Sequence, residues 1–130
     1  MSVRTLLHRA WIWGPVAGYL GLIYYLSSRE QVGWAAPYPD KLLHAVEYMA
    51  LALLLARALN NGILKPMPAR RLLLAWVLCA AYAMSDEIHQ SFVPNRSSDW
   101  RDVAADAVGA TAGLAAVVVA GRLLRRREVA

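Results

Sequence analysis

Lys41, His44 and Tyr48 follow one another at spacings of three and four, with Glu47 adjacent, so on a helix they share one face. Asp86, His89 and Gln90 repeat the pattern, while Glu87 is turned about 100° from Asp86. Asp99, Asp102 and Asp106 align on a third face, with Arg96 and Arg101 beside them. An imidazole with a carboxylate partner can move a proton, which makes His44, Asp86, Glu87 and His89 the candidates for catalysis. Arginine grips a phosphate through parallel hydrogen bonds, so Lys41, Arg96 and Arg101 close to a histidine suit an anionic headgroup. The candidate ligand-binding set is Lys41, His44, Tyr48, Asp86, Glu87, Gln90, Arg96, Asp99, Asp102 and Asp106.

Other chemistries are less well signalled. Asp86-x-x-His89 and the reversed His44-x-x-Glu47 have the carboxylate–imidazole spacing of helical di-metal sites, but such pairs are common by chance. No metal and no other cofactor is expected. Ser85 and Ser91 bracket the acidic cluster without the sharp strand-to-helix turn that exposes a nucleophilic serine. Structural roles compete with functional ones: Lys41 can snorkel to headgroups, His44 and Tyr48 can bond between helices, and Asp99 can cap one. Asp106 lies inside an otherwise apolar run and is the hardest to assign to structure alone.

The elements that carry these residues are apolar runs. A bilayer core about 30 Å thick needs roughly 20 helical residues. Four segments approach that length: Ala10 to Ser28, Leu42 to Leu59, Leu72 to about Val93, and Val103 to Gly121. Turn formers separate them: Gly33, Pro37 and Pro39, then Gly62, Pro66 and Pro68, then Pro94 and Asn95. Ser97, Ser98 or Asp99 can cap the fourth helix. With 58% hydrophobic and 18% charged residues, the expected fold is all-α: a single domain over residues 1–130, built as a bundle of four transmembrane helices. A soluble bundle would need polar stripes that the first and fourth segments lack. The first segment mimics a signal peptide behind Arg4 and Arg9, but it is long enough to span. Cys79 is the single cysteine, inside an apolar run, so no intramolecular disulfide can form.

The net charge of +5 sits at the ends of the apolar runs and not along a groove-binding face, which argues against nucleic acid as a partner. Ten of the fourteen Lys and Arg residues fall in the N-terminal tail, the second loop and the C-terminal tail, and four in the first and third loops. By the positive-inside rule both termini are cytoplasmic. Of the nine acidic residues only Glu128 then lies inside. Charges at membrane depth are costly unless they pair around a cavity. Lys41, His44, Asp86, Glu87, Gln90, Arg96 and Asp102 are therefore expected to converge in one water-accessible outer pocket, with Glu87 turned toward the first helix.

Taken together, Asp40-Lys41-x-x-His44-x-x-x-Tyr48, Ser85-Asp86-Glu87-x-x-Gln90, and Arg96 with Asp99-x-x-Asp102 leading to Gly109 resemble the VanZ-like family of small bacterial membrane proteins. That family is named for a member associated with teicoplanin resistance. The resemblance covers roughly Asp40 to Gly113, and Asp106 stands where many relatives carry Asn. It implies a multi-pass protein of the bacterial cytoplasmic membrane with an envelope role near the outer interface. Its expected partners are membrane lipids or a lipid-linked cell-wall precursor, and binding them could lower glycopeptide susceptibility. The alternative is a membrane-embedded lipid hydrolase or transferase using a His/carboxylate pair. A transporter is disfavoured because the inner halves of the helices hold almost no polar relay.

Overall fold

The computed structural model describes residues 2–29, 40–62 and 65–128. Glu30, Gly33, Pro37 and Pro39 of the first loop lie outside the described residues. The described residues form four helices: α1 (Val3–Ser27), α2 (Asp40–Asn60), α3 (Ala69–Gln90) and α4 (Trp100–Glu128). Each begins earlier in the chain than its apolar run, because a helix propagates through flanking charged residues that hydropathy alone excludes. Arg4 and Arg9 are helical, and Ser2 caps α1, its hydroxyl accepting the Thr5 N–H. α3 stops at Gln90, short of Val93, because the chain tightens into turns in which Phe92 bonds His89 and Val93 bonds Gln90.

Among the described residues three helices are long and apolar enough to cross a membrane: α2, α3 and Trp100–Arg126 of α4, with mean hydropathies of 1.6, 1.2 and 1.9. At 25 residues α1 has the length, but Gly14, Pro15, Gly18 and Gly21 among its Trp and Tyr residues dilute its apolar character. α4 extends about 43 Å at 1.5 Å per residue, so it outruns a 30 Å core and carries its terminal arginines beyond it. Large apolar side chains such as Leu73, Val77 and Val108 face outward, as a lipid solvent favours.

The contacts fix the topology. Tyr19 bonds the Glu47 carbonyl and Arg57 the Trp11 carbonyl, so α1 and α2 run antiparallel. Trp76 bonds Thr111 while Glu87 meets Asp99, so α3 and α4 do too. α2 and α4 run parallel: Gly109 lies against Ala45, and Gly113 against Met49 and Ala52. A Cβ at Gly109 would fall within the Ala45 backbone carbonyl, and one at Gly113 would lie 2.8 Å from the Met49 oxygen. This is the small-xxx-small device that lets membrane helices approach through their backbones. Tyr48, Leu51, Ala52 and Ala56 of α2 are wholly buried, which makes α2 the centre of the bundle.

Proline inside α1 has a consequence of its own. Pro15 has no N–H to give, so the Trp11 carbonyl four residues earlier loses its helical partner. Both terminal nitrogens of Arg57 donate to that oxygen at 3.3 Å, and its guanidinium lies 5.5 Å from the Trp11 ring centroid.

Candidate functional site

The antiparallel path brings the end of α1, the start of α2, the end of α3 and the start of α4 to one end of the bundle. A cavity of about 380 Å³ opens there between α1, α2 and α3, and Arg96 of the third loop reaches it. Its polar lining is Ser27, Asp40, His44, Glu47, Asp86, Gln90 and Arg96. His44 and Asp86 thus face the same space from different helices, and four of the seven residues expected to converge line it.

The other three take separate places. Lys41 turns to α4, where its ammonium lies 2.8 Å from Asp102 Oδ1 and 3.4 Å from Asp99 Oδ2. Glu87 is buried and accepts the Asp99 backbone N–H, so it faces the loop before α4 and not the first helix as its angular offset suggested. Asp99 is a cap: its Oδ1 accepts the Arg101 N–H at 2.9 Å. That bond and the nearby Lys41 ammonium hold the Asp99 carboxyl below the usual carboxylate range.

His44 pairs across the α2–α4 seam with Asp106, Nδ1 lying 3.0 Å from Oδ1 with both residues buried. With Nδ1 donating to the carboxylate, Nε2 is the nitrogen left to take a proton or bind a ligand. Neither helical i, i+3 pair forms. His44 joins Asp106 instead of Glu47, and His89 bonds Ser28 Oγ at 2.8 Å and stacks on Tyr24 with ring centroids 4.6 Å apart. Asp86 accepts from Gln90 Nε2 at 2.9 Å within the cavity. Ser85 and Ser91 spend their hydroxyls on the Tyr82 and Ile88 carbonyls, so neither pairs with a histidine. Arg96 donates to the Leu26 and Ser27 carbonyls at the end of α1, where Leu26 also accepts the Arg29 N–H. The Tyr48 hydroxyl is buried with no hydrogen-bond partner among the described residues.

Three participants stand outside the candidate site set, although Asp40 and Gly109 are among the motif residues. Ser27 and Asp40 line the cavity, although only Asp40 had a readable signal, four residues before His44. The third is the glycine pair of α4, whose spacing of four was legible and which sets the distance across which His44 and Asp106 meet. A second, apolar cavity of about 510 Å³ lies deeper between α1, α2 and α3, lined by residues such as Val16, Leu20, Leu55 and Tyr82.

Comparison with known proteins adds one finding: the family model described as VanZ/LLP1 matches residues 8–121. The match takes in α1 as well as the Asp40 to Gly113 stretch that carries the motifs. No curated protein and no solved structure matches.

Proposed function

From the premise that the chain belongs to the VanZ/LLP1 family, we propose that it is a cell-envelope membrane protein that holds the headgroup of an anionic lipid or lipid-linked cell-wall precursor. The observation that carries this reading is the polar cavity at one end of an apolar bundle, where Arg96, His44 and Gln90 can present hydrogen bonds to phosphate oxygens. The apolar cavity between the same three helices gives an acyl or prenyl chain a place beside it. In this reading α1 completes a four-spanning bundle in the bacterial cytoplasmic membrane. The Lys/Arg distribution supports a reading in which both termini are cytoplasmic and the polar cavity opens outside. Holding such a precursor would lower susceptibility to glycopeptides such as teicoplanin.

Mass spectrometry of lipids retained through gentle purification tests this. One anionic lipid class should be enriched on the wild-type chain and lost on Arg96→Gln, whose fold should survive. Retention of bulk membrane lipid in its ordinary proportions by both proteins would refute the proposal. Cysteine labelling that places position 97 in the cytoplasm would overturn the orientation.

A second reading has a specific observation behind it. The buried His44–Asp106 contact is the arrangement by which a carboxylate orients an imidazole as a general base, so a lipid hydrolase or transferase is the alternative. A chemically altered lipid, formed by the wild type and not by His44→Gln, would favour it over binding.

A further inference from the structure

The lining of the polar cavity opposes an anion if its side chains act alone. Asp40, Glu47 and Asp86 supply three carboxylates, against the Arg96 guanidinium and the His44 imidazole. Arg96 is partly engaged by the Leu26 and Ser27 carbonyls, and Lys41 by Asp99 and Asp102. Further positive charge would strengthen the hold of this lining on a phosphate.

The same corner of the bundle offers a way to supply it. Asp40, His44 and Asp102 each present one ligand atom, and the three atoms lie within 4.8 Å of one another. Oxygen and nitrogen ligands 2.0–2.2 Å from one ion stand about 3–4.4 Å apart, so small side-chain movements suffice to close the set. His44 and Asp102 are buried, which distinguishes this group from a chance meeting of surface acids. Asp106 holds His44 Nδ1 at 3.0 Å, and a histidine that binds a metal through one nitrogen commonly donates the other N–H to a carboxylate. Lys41 occupies Oδ1 of Asp102 and leaves the second oxygen of that carboxylate to give.

We propose that Asp40, His44 and Asp102 bind one divalent cation, with Asp106 orienting the imidazole, and that this ion bridges the chain to the anionic headgroup. The ion site stands on the residues themselves; only the bridging step rests on the headgroup reading. One imidazole and two carboxylates suit Mn²⁺ or Zn²⁺, whose remaining positions go to water or to ligand oxygens. The ligands come from two parallel helices locked at Gly109, and for that reason the spacing within either helix gave no sign of them.

The test uses the full-length chain in detergent, stripped with a chelator and titrated with Mn²⁺ while the paramagnetic resonance signal of the free ion is followed. One Mn²⁺ per chain should bind, with Zn²⁺ competing. His44→Gln should abolish binding, and Asp106→Asn should weaken it about 10- to 100-fold. Asp40 is exposed, so Asp40→Asn should leave the thermal melt unchanged and still weaken binding at least about tenfold. An absence of saturable binding by the wild type, or Asp40→Asn binding as the wild type does, overturns the site. The lipid arm separates the two proposals. Anionic lipid retained equally with Mn²⁺ and with EDTA overturns the bridging and leaves the headgroup reading intact. Mn²⁺ binding with no enrichment of anionic lipid in either condition supports the ion site and overturns the headgroup reading.

Discussion

The two sides of α2 are built on opposite plans. Toward α4 there is no room: Gly109 and Gly113 bring backbone to backbone, and Lys41–Asp102 and His44–Asp106 tie the upper part of the seam. Toward α1 lie both cavities, and polar bonds to backbone carbonyls hold that helix in place, from Tyr19, Arg57, Tyr82 and Arg96. The contrast teaches a division of labour. A rigid seam fixes where the imidazole and its carboxylate sit, and a loosely filled flank leaves space for what they act on. Substitutions in the seam should therefore cost stability, while substitutions on the α1 flank should cost ligand retention.

The largest effect is expected from Gly109→Leu. Its side chain would occupy the position of the Ala45 carbonyl, which is backbone and cannot rotate away, so the loss should exceed about 3 kcal/mol and eliminate monodisperse protein. Size-exclusion profiles and thermal melts check this; a normal fold would break the seam half of the comparison. Asp106→Ala should follow at about 3 kcal/mol, since it leaves a buried polar partner unmatched, and Asp106→Asn should recover most of that stability. Gly113→Ala should cost about 1–3 kcal/mol, because the Met49 side chain nearby can give while its carbonyl cannot.

Across α2 the numbers should fall. Arg57→Gln removes the donors that serve the carbonyl stranded by Pro15, and an interhelical hydrogen bond in a membrane averages about 0.6 kcal/mol. Reversible unfolding in mixed micelles should register a change of that size. Tyr82→Phe deletes the 2.7 Å bond to the Leu20 carbonyl and should cost no more, about 0.6 kcal/mol, with retained lipid altered more than the melt. If Tyr82→Phe destabilised the chain as much as Gly113→Ala, the two flanks would not differ in kind.

Four helices were legible because apolar runs of spanning length leave few alternatives, and the turn-forming residues between them mark the breaks. Their ends were less so: Arg4 and Arg9 are helical because a helix continues past the point where hydropathy stops. Within the site, spacing revealed which residues share a helix face but not which helix that face meets. Lys41 and His44 were correctly grouped, yet both turn to α4, Lys41 to Asp99 and Asp102 and His44 to Asp106, and the helical pairs with Glu47 and Asp86 partners do not form. Glu87 was placed by its angle alone, and the angle is equally compatible with the loop that it serves. The partnering of α2 with α4 was encoded in Gly109-x-x-x-Gly113, a signal that composition masks because glycine also reads as a breaker.

The polar cavity beside the seam is proposed to receive an anionic headgroup. Determining the structure of the chain in nanodiscs containing an anionic lipid with a heavy-atom-labelled headgroup tests it most directly. The expected result is headgroup density inside the cavity lined by His44, Asp86 and Arg96, within hydrogen-bond reach of the Arg96 guanidinium, and its disappearance in Arg96→Gln. Labelled headgroups found only in the surrounding lipid annulus, with the cavity holding none, would contradict it.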